Sequence, residues 1–490
     1  MNSSLRKKYT AVIGLEVHAQ LSLRRKMFSP EAFTYGAMPN TQVSTVTLAH
    51  PGTLPRINKE AVAYAIKMGL ACDAKITREN SFARKNYFYP DLPKGYQITQ
   101  DKTPICQEGY LTIDTPAGEE KRIALQRIHL EEDTGKSVHG LVAGETLLDF
   151  NRAGVALIEI VTKPVLRTSA EAYSLLAEIR KLVRYLAICD GNMEEGSLRC
   201  DANVSVMLQG AKAFGQRVEV KNMNSIRNVQ LAIEHEIDRQ IAMLEAGKAV
   251  AAETRSYNAA TNTTVSLRAK ETLNDYRYFP EPDLPPLVVS EAWIQQLQQT
   301  MPLLPRACFK KFKDAYQLPP YDAAVLTEDR ETALFFEALC QLTPHYKAAS
   351  NWIMGPVKSY LNESALSMQA FPLQPATLAE LIALVVQKQL SFSVASQKLF
   401  PALLREPSQS PLALAQALNL LQESDQEKIQ ALVDEVIAAH PDKVAAYRHG
   451  KKGLLGMLMG EVMKQSQGKF SPKVANTLLK QRLEAYGPEG

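Results

Sequence analysis

The sequence predicts an α+β protein, with a sheet-rich N-terminal domain followed by helices, and three observations carry that prediction. From about residue 9 to 290 short alternating segments dominate, among them "YTAVIGLEVHAQL", "KRIALQRIHLEED", "SLRCDANVSVML" and "QRVEVKN", the period-2 pattern of half-buried strands. Helices lie between them, and two are readable, "NKEAVAYAIKMGLACD" and "SAEAYSLLAEIRKLVRYLAI", so the pattern is built around hairpins rather than a run of βαβ units. Past "YFPEPDLPPLVVS" (278–290) the alternation stops and almost everything reads helical.

A chain of 490 residues is too long for one core and suggests about three domains. The expected divisions are 1–292, a sheet cradle; 293–408, a helical domain; and 409–490, a small helical tail set off by the polar connector "REPSQSP" (405–411). No apolar run reaches the roughly 18 residues that a bilayer span needs, and the first apolar stretch is broken by Glu16 and His18, so a signal-peptide core is not expected. The six cysteines are scattered without a C-x-x-C pair, which points to a reducing compartment, the cytoplasm, and to buried apolar roles. The net charge of +4 is uneven. From Pro441 to Gly490 nine Lys/Arg face four Asp/Glu, so this segment carries +5 and the other 440 residues about −1. That tail fits either a polyanion-binding module or a solvated lysine-rich surface.

Strand alternation sorts the polar residues. In "AVIGLEVHAQL" Gly14, Glu16, His18 and Gln20 share one face while Ile13, Leu15, Val17, Ala19 and Leu21 share the other. In "SLRCDANVSV", Arg199, Asp201 and Asn203 alternate with Cys200, Ala202 and Val204, and on the return arm Arg217, Glu219 and Lys221 alternate with Val218 and Val220. A turn centred on Gly210 sets Asp201 opposite Glu219 and Arg199 opposite Lys221. Two facing carboxylates repel unless a cation neutralises them or one stays protonated, although Arg199 and Arg217 could also pair with them diagonally. "HLEED" adds Glu131, Glu132 and Asp133; successive side chains point to opposite faces, so Glu131 and Glu132 reach one ion only across a bulge. One histidine among several carboxylates suits Mg²⁺ or Mn²⁺ better than zinc. "TGKS" (134–137) is not a nucleotide loop, because Leu130 stands where that motif requires glycine. The stretch "RKNYFYPDLPKGYQITQ" (84–100) combines Arg84, Lys85 and Lys94 with four aromatic rings, which fits either phosphates and a stacked base or a proline-rich surface loop.

Several long motifs now stand together, in order along nearly the whole chain: "VIGLEVHAQL", "ARKNYFYPDLPKGYQI", "HLEEDTGKS", "DFNRAGVALIEIVTKP", "MEEGSLRCDANVSV", "VEVKNMNS", "ETRSYN", "KETLNDYRYFPEPDLPPL" and "GMLMGEVMKQSQGKFSP". They resemble the GatB family, the B subunits of tRNA-dependent aspartyl/glutamyl amidotransferases. The resemblance implies a glutamine-synthetase-like antiparallel-sheet cradle, a helical domain and a YqeY-like tail that holds tRNA. It implies ATP and Mg²⁺ as cofactors, phosphorylation of the side-chain carboxylate of Glu-tRNA(Gln) or Asp-tRNA(Asn), and amidation by ammonia channelled from an amidase partner, GatA, joined through a small third protein, GatC.

Carried over by motif, the metal-site residues are Glu16, His18, Glu132, Asp201 and Glu219; Glu131 joins Glu132, Asp201 and Glu219 among the catalytic carboxylates. Lys85, with Arg84 and Lys94, is expected beside the nucleotide phosphates. Many relatives carry paired zinc-binding cysteines where this chain reads "MFSPEAFTYGAMPNTQVSTVTLAHPGTLP" (27–55) without any, so no structural zinc is expected. Two rival readings are a non-catalytic tRNA-binding scaffold and a free-standing ligase acting on a small molecule. Convergence of the acidic side chains separates enzyme from scaffold, and the basic tail speaks against the ligase.

Overall fold

The computed structural model describes residues 3–269, 276–421, 426–466, 470 and 472–485. It divides into two compact units, Met1–Pro305 and Arg306–Gly490.

The first unit is built on a 13-stranded sheet. Its central strand, Tyr9–Gln20, pairs on one side with Leu198–Leu208 and on the other with Ala156–Thr162, both antiparallel. Outward from these lie Val218–Lys221, then Glu253–Asn258 and Thr263–Ala269 on one flank, and Glu120–Glu132, Tyr96–Thr99 and Ala83–Asn86 on the other. One pair departs from the expected antiparallel sheet: Val218–Lys221 and Glu253–Asn258 run parallel. The 20-residue helix Ile226–Glu245 lies between them in sequence, and a crossover of that length is what a parallel pair requires.

The alternation expected of the central strand is present. Ile13, Leu15, Val17, Ala19 and Leu21 are buried, and so are Leu198, Cys200, Ala202 and Val204 on its neighbour. The helices Ser169–Tyr185 and Ile226–Glu245 cover this apolar side, packing on each other and sharing its core through Leu175, Ile179, Val229, Ile233 and Ile237. Each starts on a side-chain cap, Thr168 accepting from the Glu171 amide and Ser225 from the Asn228 amide. With helices on one side, the other side of the central strands carries the polar residues.

The first unit runs past the boundary expected at 292. The helix Glu291–Gln299, assigned by that boundary almost wholly to the second domain, buries Ile294 and Leu297 in the core of the first. Apolar helical spacing says that a helix packs, not on which domain. Every named element of the second unit, among the described residues, is a helix. Its tail has a core of its own, in which Ile429, Val433, Val436, Leu458, Val462, Leu479 and Leu483 meet from Gln426–Ala439, Leu454–Gln465 and Pro472–Ala485. All six cysteines are buried. Among the described residues no helix is long and apolar enough to cross a membrane.

Candidate active site

The registers of four strands place the site. Directly opposed residues of an antiparallel sheet have side chains on one face about 5 Å apart. Across the sheet the first row is Arg199, His18, Glu159 and His129, and the next is Asp201, Glu16, Val161 and Arg127. Glu131 lies two residues beyond His129 on the same face, and Glu219 comes from the return strand of the hairpin. Together with Lys85, Lys221 and Arg217 these side chains line a cavity of about 730 Å³ on the side away from the helices, all but Arg199, which donates to Asp133.

Within the cavity the acids form two groups, His18, Glu131 and Glu159, and Glu16, Asp201 and Glu219. In each, one ligand atom per residue lies within 4.8 Å of the others. In the first, His18 Nε2 is 3.4 Å from Glu159 and 3.6 Å from Glu131, and the buried His129 reaches the same two carboxylates at 3.2 and 3.7 Å. In the second, the Asn203 amide donates to Glu16 Oε1 at 2.9 Å, the Thr254 hydroxyl donates to Glu219 Oε2 at 3.0 Å, and Lys221 Nζ lies on both Asp201 and Glu219.

Comparison with known proteins bears on the whole chain. Residues 11–295 match the model of the GatB/GatE catalytic domain and residues 334–483 that of the GatB domain. The chain belongs to the GatB family. It is 46% identical to the B subunit of the aspartyl/glutamyl-tRNA(Asn/Gln) amidotransferase of Thermosynechococcus vestitus over 484 residues, covering 97% of this chain and 96% of that one. With the protein of the same name from Halorhodospira halophila it shares 48% identity over 478 residues, 97% and 99% of the two chains. The Salinibacter ruber counterpart is 46% identical over 496 aligned positions, covering 98% and 97%.

The electrostatics of this GatB-family cavity suit a divalent cation. Burial, then the neighbouring Glu159, Glu219 and Asp201 carboxylates, push the Glu16 carboxyl above its ordinary range against the lowering effect of Asn203. A dication bound to the oxygen-only group relieves that repulsion, and an oxygen set of this kind fits Mg²⁺. In the other group burial disfavours a charged His18, but Glu159 and Glu131 outweigh it and hold the imidazole pKa up at about 9. Glu159 is correspondingly held well below its ordinary value, since His129 and His18 overcome its burial.

That pairing has a sign. A histidine raised from 6.5 to about 9 binds a proton in the folded chain that the unfolded chain releases, so its stabilisation is complete below pH 6.5 and fades as pH rises toward 9. Chelator-treated protein is expected to lose on the order of 2–3 kcal/mol between pH 6.5 and 9 from this group. His18→Gln should flatten that part of the profile in denaturant titrations, and an unchanged slope would refute the assignment.

The sequence-predicted residues divide. Glu16, His18, Glu131, Asp201, Glu219 and Lys85 line the cavity. Glu132 does not. As alternation demands in the absence of a bulge at that point, its buried side chain turns to the other face, where it accepts from Lys94 Nζ and the Ile98 amide. Lys94 is thereby engaged with Glu132 rather than directed at the cavity. Arg84 turns away as well. It pairs bidentately with buried Glu281 at 2.8 and 2.9 Å, reaches Asp283, and lies 4.2 Å from the Tyr96 ring, while Lys85, one residue along the strand, faces the cavity with Nζ 5.0 Å from the Tyr276 ring.

The hairpin register also differs from the expectation. Asn203 lies opposite Glu219 and Ala202 opposite Val220, so Asp201 falls beside Lys221 rather than Glu219. The shift is two residues along the return arm, so that the loop between the arms is not centred on Gly210. Gly215 helps the loop return, since a Cβ there would collide with the Val206 carbonyl. Sequence reasoning missed Glu159 and His129. The signal for Glu159 was a lone charge inside the apolar run "VALIEIV"; for His129 it was the two-residue spacing to Glu131.

Proposed function

We propose that this chain is the carboxylate-activating component of a tRNA-dependent amidotransferase, and that its cavity phosphorylates the side-chain carboxylate of Glu-tRNA(Gln) and/or Asp-tRNA(Asn). The observation that carries this reading is the convergence of six acid and imidazole side chains from five strands of the sheet, His18, Glu131, Glu159, Glu16, Asp201 and Glu219, on one open face in two groups able to hold a cation. A scaffold has no use for such a concentration of charge, which costs stability when uncompensated. The family membership and the named function of the relatives support the same reading.

Chemically, a carboxylate oxygen attacks the γ-phosphorus of ATP, releasing ADP and leaving an acyl phosphate. Ammonia then attacks the acyl carbon and expels phosphate, giving the amide. Glu16, Asp201 and Glu219, and likewise His18, Glu131 and Glu159, would hold Mg²⁺, which would supply the positive charge that lets two anions approach. Lys85, whose ammonium is stabilised by Glu131 against burial, sits where it can pair with a nucleotide phosphate. Tyr276 and Tyr278 at the same wall offer ring faces to a base. Arg84 and Lys94 hold the strands around Lys85 in place through Glu281 and Glu132. The ammonia source is an amidase partner of the GatA kind, joined by a GatC-like protein. No zinc is assigned to residues 27–55, a stretch without cysteine whose Gln42 carbonyl accepts from the buried ammonium of the preceding Lys26 at 2.8 Å. The exposed lysines of the tail grip the tRNA backbone. A role in translation agrees with the cytoplasm as location.

Reconstitution with the amidase partner, ATP, Mg²⁺, glutamine and Glu-tRNA or Asp-tRNA tests the reading. ATP-dependent amide formation is expected, and Glu159→Gln should lower it at least about tenfold, because the substitution removes the charge that His18 and His129 share. An absence of amide formation with an active amidase, or full activity in Glu159→Gln, would contradict it.

A further inference from the structure

The group Glu16, Asp201 and Glu219 already contains a cation, and it is part of the chain. Lys221 follows Glu219 by two residues, so both side chains face the cavity. Its Nζ lies 2.9 Å from Glu219 Oε1 and donates to Asp201 Oδ2. The ligand atoms of the three carboxylates fall within 4.8 Å of one another, close to the span that an ion with oxygens at about 2.1 Å bridges. An ammonium on two of these carboxylates and a dication on all three compete for the same oxygens, and like charges at that separation repel strongly at a partly buried site.

We propose that Lys221 is a tethered stand-in for the divalent cation, neutralising Asp201 and Glu219 in the metal-free chain and leaving them when the ion binds. The inference rests on the metal-binding role given above to Glu16, Asp201 and Glu219. Lysine suits it: its ammonium is a compact point charge on a flexible four-carbon stem, where arginine would lock two carboxylates in a planar fork. The side chain keeps 33% of its accessible surface and borders the cavity, so release carries Nζ toward the space where the phosphoryl group and acceptor carboxylate meet. Lys221 thus becomes available to those anions only after the ion is in place, which couples metal binding to the delivery of a second positive charge.

Competition with a tethered group weakens apparent metal affinity by the fraction of molecules in which that group is displaced. Mn²⁺ titration of the metal-free full-length chain, followed by calorimetry and by the spin resonance of free Mn²⁺, reads this directly. The binding event lost in Asp201→Asn identifies the group. In Lys221→Met that event is expected to tighten by ~10-fold or more. Lys221→Gln serves the same purpose should the methionine variant fold poorly. Lys85→Met, which removes one positive charge elsewhere on the same cavity, should tighten the event far less. Unchanged or weakened affinity in both Lys221 variants, or an equal gain in Lys85→Met, would overturn the stand-in role while leaving the metal site intact. If Asp201→Asn removes no binding event, the metal-binding role fails and the inference with it.

Discussion

Asp201→Asn is expected to lower amide formation on Glu-tRNA or Asp-tRNA by about a hundredfold to a thousandfold, the range seen when a fixed charge at a developing anion is removed. The carboxylate stands directly opposite Glu16 and completes the oxygen group with Glu219. Asparagine keeps the shape, so no void forms, but it turns one anionic ligand into a neutral one and sets an amide nitrogen either toward the cation or toward Lys221. Glutamine hydrolysis by the amidase partner and binding of tRNA do not depend on this side chain and should persist. Amide formation within a few-fold of wild type would remove Asp201 from the site. The loss should appear in kcat more than in KM, since the interaction strengthens as charge moves onto the phosphoryl group.

The second large effect concerns the tail. Lys443, Lys451, Lys452 and Lys473 are exposed, on helices and loops whose core is made of residues 429–483 alone. Substituting all four with Gln should leave that core folded while weakening tRNA binding about tenfold or more and lowering the slope of log affinity against log salt by ~3–4. Nucleotide binding should be unaffected, because none of these lysines lines the cavity. Removal of the chain beyond residue 410 should have a larger effect of the same kind. Affinity and salt slope both unchanged would show that the tail's +5 is a solvated surface.

Much of this architecture was legible in the chain. The two faces of the Tyr9–Gln20 strand follow from alternation alone, and that alternation put Glu16 and His18 together before any partner strand was known. The same rule warned that Glu131 and Glu132 could not share an ion, and their side chains do separate to opposite faces; the motif-based grouping of Glu132 with the metal ligands sets aside what the backbone period says. Arg84 and Lys85 part for the same reason. What alternation could not supply was register. The first arm of the hairpin is held by eleven paired residues between Tyr9–Ala19 and Leu198–Leu208, segments far apart in the chain, while the pairs Ala202 with Val220, Asn203 with Glu219 and Val204 with Val218 set the return arm and put Lys221 rather than Glu219 beside Asp201. Glu159 and His129 were hidden similarly: each is unremarked in its own strand and gains meaning only where the strands meet. The boundary at Pro305 depends on which surface the helix Glu291–Gln299 buries, and its sequence does not carry that information.

The pairing of Asp201 with Lys221 also changes how the hairpin is understood. Two carboxylates that looked like a fault in a sheet are held apart and neutralised by the next cation on the same face. Asp201 and Glu219 are thus neutralised from within the chain, while the Glu16 carboxyl is pushed upward, first by burial and then by Glu159.

The central claim is that the side-chain carboxylate is phosphorylated in this cavity, and the fate of its oxygen tests that claim most directly. The complex is supplied with ATP, Mg²⁺, glutamine and tRNA charged with Glu or Asp whose side-chain carboxylate carries ¹⁸O, and the phosphate released is analysed by mass. One labelled oxygen is expected in each phosphate produced with an amide, because the carboxylate oxygen that attacks ATP leaves on phosphorus when ammonia enters. Phosphate free of label, with amide still forming, would contradict the account.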